Sequence, residues 1–452
     1  MNSFIKNIVF QIDRRYADHV KEGSSFNPLL QPSLIGYYFL IIIGKLFGFS
    51  NSLDSANLSW KSSLMCFLGH SFFPNKYSVL KVSDEEIFKE EYGFSGKLNP
   101  KVTILILCGN SLSNLITLLD ALESISLKID VELILLIEQD NIAIDSFIKK
   151  NIQGVTVYHV LQSSKLLSTV NKAIVNSRGE FFSILRASVL LQANWLNGLL
   201  TGISNDQSVG IVTGKIISSD GLLDQAGTFI GADSHLHKYG KADFPAHPKY
   251  NFIREIACTN GGNSLVCKTD FIRVGGFVES SSSLPMAFCM LSMTFRQRLG
   301  KRILFTPQTE AIRLEYEHDE NLDLSGYLCS TGKGFEAVSL EENIHTHPLI
   351  TPKAILFVDI GLPEPDKDSG SLRAYHLIKI MKELGYHVIV VPRKGQVSSP
   401  YFEDLIKLGV QVLYAFPDLK GMIKELVVLL PSISISWICR PQLNKEFEWI
   451  FN

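Results

Sequence analysis

The seven cysteines, spread from Cys66 to Cys439, form no Cys-x-x-Cys pair and no zinc-like spacing. That absence speaks against a zinc ribbon or a dithiol redox motif, and it points to a reduced, cytosolic setting. Positive charge is also scarce: the formal net charge is -2 and no basic run stands out. A surface that tracks nucleic-acid phosphates needs such an excess, so no nucleic-acid partner is expected. Charged residues make up only 19% of the chain against 46% hydrophobic ones, a balance that excludes an intrinsically disordered protein. The chain does not open on a charged segment followed by an apolar core and a small-residue cleavage site, so a secretory signal is not expected. Residues 34–49 (LIGYYFLIIIGKLFGF) are apolar apart from Lys45, yet shorter than the roughly 20 residues that span a bilayer. They read as a buried helix, with peripheral membrane contact as the alternative, the tyrosines and Lys45 lying at the headgroups. The expected location is therefore cytoplasmic, or the inner face of a membrane.

What is present is an ordered series of buried strands and amphipathic helices. Residues 1–100 read as a helical N-terminal region, with Ser83-Asp84-Glu85-Glu86 as a helix start. From Lys101 the pattern changes: VTILILC is a strand, 112–125 a helix, VELILLI a strand, VTVYHV a strand, 165–176 a helix and FFSIL a strand. Alternation of this kind implies an α/β domain with a parallel sheet and crossover helices. Right-handed crossovers would line up the C-terminal ends of these strands on one edge, where such sheets bind ligands. Arg186-Ala187-Ser188 falls on that edge. After a polar linker at 321–352, a second alternation runs from KAILFVDI to SISISWI. Residues 353–452 thus read as a half-sized nucleotide-binding-type sheet.

Several short motifs occur in a suggestive order: Val102-Thr103-Ile104-Leu105-Ile106, Asn171, Gly179-Glu180-Phe181, Trp195-Leu196, Asp224-Gln225-Ala226-Gly227, Gly275-Gly276-Phe277 and the run from Gly300 to Pro307. Together they resemble a family 2 glycosyltransferase domain of the GT-A type over residues 101–320. Residues 353–452 resemble the N-terminal, Rossmann-like half of a GT-B glycosyltransferase. The resemblance implies bacterial surface-polysaccharide assembly (capsule, O-antigen or another glycan), a nucleotide-sugar or glycan ligand, and a partner glycosyltransferase or self-association.

The chemical positions depart from the family pattern. Its metal-binding Asp-x-Asp falls on Arg186-Ala187-Ser188, and its general-base carboxylate falls near Phe288-Cys289. No carboxylate lies between Glu279 and Glu310, so a small shift of alignment does not restore the base. Inverting sugar transfer needs a carboxylate to take the acceptor proton and a positive centre for the departing diphosphate. A phenylalanine and a cysteine supply neither. Arg313 falls where relatives place a metal-binding histidine, and two guanidinium groups, Arg186 and Arg313, could bind phosphate oxygens in place of an ion. A structural role, pairing with Glu138, Glu315 or a carbonyl, is the competing reading for both.

The candidate substrate-binding set is Arg186, Ser188, Arg313, Glu315, Asn171 and Asn260, with no metal site and no cofactor. The acidic run Glu315, Glu317, His318, Asp319, Glu320 reads as a solvated face, and His345 and His347 as exposed linker residues. In the second domain, Ser369, Gly370 and Ser371 begin a helix whose N–H groups suit an anion or a simple cap. Three readings of function remain: a noncatalytic binding or scaffold partner, a metal-independent transferase, or a fragment of a larger active one.

Overall fold

The structure is a computed structural model and describes residues 91–315, 322–327 and 353–447, apart from short breaks at 95–98, 127–128, 139–140, 161, 193, 205, 326, 394–398 and 416–418. The expectations for nearly all of 1–100, including 34–49, for most of the 321–352 linker, and for Glu317, His318, Asp319, Glu320, His345 and His347 lie outside the described residues. Among the described residues no helix is long and apolar enough to cross a membrane. They divide into two compact units, 91–245 with 254–327, and 246–253 with 353–447.

The first unit is built in chain order from β1 (Val102–Leu107), α1 (Leu112–Ser126), β2 (Val131–Glu138), α2 (Ile142–Asn151), β3 (Thr156–Val160), α3 (Leu166–Asn176), β4 (Phe181–Arg186), β5 (Val189–Leu191) and α4 (Trp195–Ser204). It continues through β6 (Val209–Ser218), β7 (Leu223–Gln225), β8 (Thr228–Ile230), β9 (Leu236–Lys238), β10 (Arg254–Glu255), β11 (Ser264–Cys267), α5 (Lys268–Arg273), α6 (Leu284–Leu299) and β12 (Arg302–Arg313). One large sheet has the order β10-β12-β6-β11-β4-β1-β2-β3, with β5 on β12 and β7 on β6.

Strands β1 and β2 are apolar nearly throughout and buried along their length, as central strands covered on both faces must be. Helix α1 buries Leu115, Leu118, Leu119 and Leu122, a spacing that puts all four on one stripe. Helix α6 starts on a Ser283 cap to the Met286 N–H and stops at Gly300, whose φ of 64° is left-handed. Glycine is the residue that reaches that conformation without a Cβ clash.

The wholly parallel sheet expected from the alternation is corrected to a mixed one. Strands β4, β1, β2 and β3 are parallel to one another, but β11 runs antiparallel between β4 and β6, and β10 antiparallel on β12. The reason is connectivity: β11 is entered from a turn rather than a crossover helix, and only a crossover returns the chain in the same direction. Strand β12 has a register shift between Phe305 and Glu310, as bulged strands do where they bend. Its far end pairs with β5, Arg313 opposite Val189.

The second unit holds β13 (Ala354–Asp359), α7 (Ser369–Glu383), β14 (His387–Pro392), α8 (Pro400–Lys407), β15 (Gln411–Val412), α9 (Leu419–Leu429), β16 (Ile433–Ile438) and α10 (Pro441–Glu446). Its sheet order is β15-β14-β13-β16, and every pairing is parallel. Leu356, Val358, Ile389 and Val391 pack with Met422, Leu426 and Leu429 of α9. Residues 246–253, distant in sequence, belong to this unit. The Tyr414 hydroxyl donates to the Ala246 carbonyl, and the Ile253 N–H donates to the Ile406 carbonyl at 3.3 Å. Burial pushes the Tyr414 phenol pKa up.

One buried carboxylate ties the first unit's strands together. Glu132 of β2 accepts the Thr103 hydroxyl of β1 at 2.7 Å, the Arg178 backbone N–H at 2.7 Å and the Arg178 Nε–H at 3.0 Å. Thr103 Oγ1 in turn accepts the Gly179 N–H at 3.0 Å. A Cβ on Gly179 would stand 2.5 Å from the Thr103 nitrogen, so only glycine permits this approach. Burial alone would raise the Glu132 pKa, but the Arg178 N–H, the Thr103 hydroxyl and the Arg178 guanidinium outweigh it and hold the carboxyl below the ordinary glutamate value. Glu132→Gln is expected to destabilise the protein by about 1–3 kcal/mol at neutral pH. Because the folded-state pKa is depressed, the contribution is complete above the unfolded value of about 4.3 and is lost as pH falls below it. Denaturant melts should therefore show the gap between wild type and variant closing under acid conditions.

Candidate functional site

Strands β1, β2, β3 and β4 end together because their registers align: Leu107 lies beside Leu136 on one side and Arg186 on the other, and Leu136 beside Tyr158. At this edge lies a cleft of about 160 Å³. Its apolar floor is made by Leu107, Leu136, Val160, Leu166 and Ala187, and its polar rim by Asn110, Ser111, Asn114, Arg186, Ser188 and Glu315. The crevice beyond the carboxyl ends of parallel strands is where open α/β sheets bind ligands.

Each rim residue has a local reason for its place. Arg186 is the last residue of β4 and is exposed, while the next residue, Ala187, is buried and donates its N–H to the Leu107 carbonyl at 2.9 Å. Ser188 is half-buried, and its carbonyl accepts the Leu314 N–H at 2.8 Å. That bond, following the β5–β12 pairing, brings Glu315 to the cleft. Asn114 Nδ2 donates to Glu315 Oε1 at 2.6 Å across 201 positions of sequence. Helix α1 starts where the Ser111 hydroxyl accepts the Asn114 N–H, and Asn141 Nδ2 holds the preceding loop through the Gly109 carbonyl at 2.8 Å. Cys108, also in the lining, has its pKa pushed up to about 12 by burial. At neutral pH it stays a thiol, not a nucleophilic thiolate.

The expected site residues do not all gather here. Arg186, Ser188 and Glu315 line the cleft; Arg313, Asn171 and Asn260 are not in its lining. Arg313 Nη1 stands 3.1 Å from Asp224 Oδ2, and the other oxygen of Asp224 takes Lys238 Nζ at 2.9 Å. All three side chains are largely buried, which makes this a structural ion cluster between β7, β9 and β12. Asn171 clamps a turn: its Oδ1 accepts the Phe277 N–H and its Nδ2 donates to the Phe277 carbonyl, both at 2.9 Å. Asn260 and Gln225 exchange two amide hydrogen bonds of 2.7 Å.

Phe288 is 1% exposed. A Cβ built on Gly261 would lie 2.1 Å from its ring, so the ring fills the space that glycine leaves. It stacks edge-on with Phe277 at 4.9 Å, Phe277 does the same with Phe271 at 5.0 Å, and Phe271 with Phe182 at 4.9 Å. Cys289 is fully buried, and a hydrogen bond with Cys258 together with burial pushes its pKa well up. Neither side chain can take a proton from an acceptor hydroxyl.

The family's divalent ion does not fit these residues. Hard divalent cations take oxygen ligands, whereas here the first metal position presents a guanidinium and the second position's Ser188 a neutral hydroxyl. An ion placed at this strand end would sit beside the Arg186 cation.

Sequence reading missed the contribution of Asn110, Ser111 and Asn114. A signal was available: polar residues between a buried strand and the first turn of the following helix face the ligand edge in this architecture. It also missed Lys215, whose 3%-exposed side chain donates to the Pro245 carbonyl at 3.0 Å and pairs with Glu310 at 3.6 Å.

No family model matches the sequence. No curated protein matches it either. Among solved structures the chain is similar to the crystal structure of GalNAc-T7 with UDP, GalNAc and Mn2+, at 14% identity and a TM-score of 0.40, over 74% of this chain and 58% of that one. It is also similar to the mannosyltransferase PcManGT from Pyrobaculum calidifontis in complex with GDP-Man and Mn2+, at 13% identity and a TM-score of 0.34, over 61% and 70%. The chain thus spans 58% of the length of the GalNAc-T7 chain. At TM-scores this low neither likeness carries an argument about the cleft.

Asn171→Ala is expected to cost about 1–3 kcal/mol of stability, since the Phe277 backbone groups lose their partner. Ligand affinity at the Arg186 cleft should be unchanged. Thermal melts paired with binding isotherms separate this outcome from a direct role in binding.

Proposed function

We propose that residues 101–320 are a glycosyltransferase-like domain that binds a nucleotide-sugar or glycan without metal and transfers nothing itself. In this reading the protein serves surface-polysaccharide assembly in a bacterium as a binding or scaffold partner of active transferases, at the cytoplasmic side. The observation that carries it is Phe288: the place where the resemblance puts the general base belongs to a buried aromatic ladder. Restoring a base there would mean burying an unpaired carboxylate, which folds poorly.

The open, polar cleft supports retained binding. Its rim offers hydroxyl, amide, carboxylate and guanidinium groups around an apolar floor, the usual make-up of a small-ligand site. Residues 353–452 are proposed to be the N-terminal half of a GT-B-like domain with a scaffold role. Supporting a partner there, edge strand β16 exposes Ile435 at 46% and Trp437 at 43%, and an uncovered apolar edge is a pairing surface.

Calorimetry with nucleotide sugars, with and without a chelator, tests the binding half. Affinity should be indifferent to chelation, and Arg186→Ala should weaken it by roughly 1.5–3 kcal/mol for a lost charge-assisted bond. Sugar transfer by the purified protein, appearing only with Mn2+, would falsify the proposal.

A further inference from the structure

Lys382 lies half-buried in the last turn of α7, where that turn meets the Gly409 turn after α8 and the Ile253 backbone. We infer that its Nζ is a modification site for a small activated acyl group, carried by an acyl phosphate or a thioester.

Gly409 shapes the place. Its φ of 75° is left-handed, and a Cβ there would stand 2.8 Å from the Ile253 carbonyl oxygen, so the position is held to glycine. The same absent Cβ would lie 3.5 Å from Lys382 Nζ. The amine therefore faces the bare backbone of a turn and not a side chain. Among the described residues no hydrogen bond or ion pair holds the Nζ, and burial by itself pushes the amine pKa down to about 8. Lysines nearby on the same two helices differ: Lys379 pairs with Glu383 at 4.0 Å, and Lys407 with Asp404 at 3.8 Å. At pH 7 about a tenth of an amine with such a pKa is free base, against about one part in 2,500 for an ordinary lysine. The free base is the nucleophile, and desolvation is one of the ways a lysine becomes activated. Its lone pair attacks the acyl carbon and an N–C bond forms. The bond from that carbon to the phosphate oxygen or the thiol sulfur breaks, phosphate or thiolate leaves, and the amine's proton passes to water. The product is a neutral amide, which costs less to bury than an ammonium. Carbon dioxide would instead leave a carbamate anion in the same place, so burial favours the acyl donor.

The test treats the full chain with a sparing dose of acetyl phosphate or, separately, of the acetyl thioester of N-acetylcysteamine, and maps the acetylated lysines by peptide mass spectrometry. At pH 7 Lys382 should be acetylated about tenfold faster than Lys379 or Lys407 by at least one donor, and the advantage should shrink towards about pH 11, where ordinary lysines also lose their protons. The donor that labels it identifies the source of the acyl group. Labelling of Lys382 no faster than of Lys379 with both donors overturns the inference, and so does an advantage that does not change with pH. Stability gives a second readout. Because the folded-state pKa is lowered, the protonated amine costs stability in full below about 8, and the cost disappears above the unfolded value of about 10.4. Lys382→Met, neutral and of similar length, should thus raise the melting temperature at pH 7. A lowered melting temperature would mean that the ammonium is held by a partner, and would overturn the inference.

Discussion

The buried carboxylate of Glu132 sets the frame on which the cleft is built. It joins β1 through Thr103 and the entry to β4 through Arg178, at the N-terminal end of three adjacent strands. Parallel strands anchored at one end in matched register must also finish in step. Leu107, Leu136 and Arg186 therefore arrive at the same edge, and the loops that follow face a common space. Without this anchor, β4 could slip relative to β1. A slip of one residue would turn Arg186 to the other face of the sheet.

The long strand β12 completes the site from the other direction. It stays paired with β6 on both sides of its bend after Phe305, while its other edge passes from β10 to β5. The chain leaves it directly beneath Ser188, which is how Glu315 comes to face Asn114. The same strand carries Arg313 into the Asp224 cluster, so two neighbouring charged residues serve different ends: one supports the sheet, the other lines the cleft. The Arg313 guanidinium is bound to a buried carboxylate and is outside the lining of the cleft that Arg186 enters.

The aromatic ladder from Phe182 to Phe288 ties the place where the resemblance puts a base to the core of the unit. Each ring touches the next, and the last lies against Gly261. Replacing Phe288 by a carboxylate would empty one end of a packed core and bury a charge there. The place where the resemblance puts a general base is thus part of the folding core. The second unit shows a comparable dependence on distant sequence: it takes in residues 246–253, which are far from 353–447 in the chain.

Much of the element order was legible from hydrophobic patterning. Buried runs such as VTILIL, the stripe Leu115-Leu118-Leu119-Leu122, and the Ser283 and Gly300 signals around α6 depend on residues close in sequence, so local rules suffice. The edge position of Arg186 and Ser188 followed from the same alternation. What local rules could not reach were partnerships across long separations: the antiparallel insertion of β11, the Arg313–Asp224 pair, and the turn clamped by Asn171. Arg186 and Arg313 look equivalent as sequence, since both are cations at strand ends. Only packing in three dimensions decides that one is spent on a buried carboxylate while the other opens to the cleft, because an ion pair depends on distance in space and not on spacing along the chain.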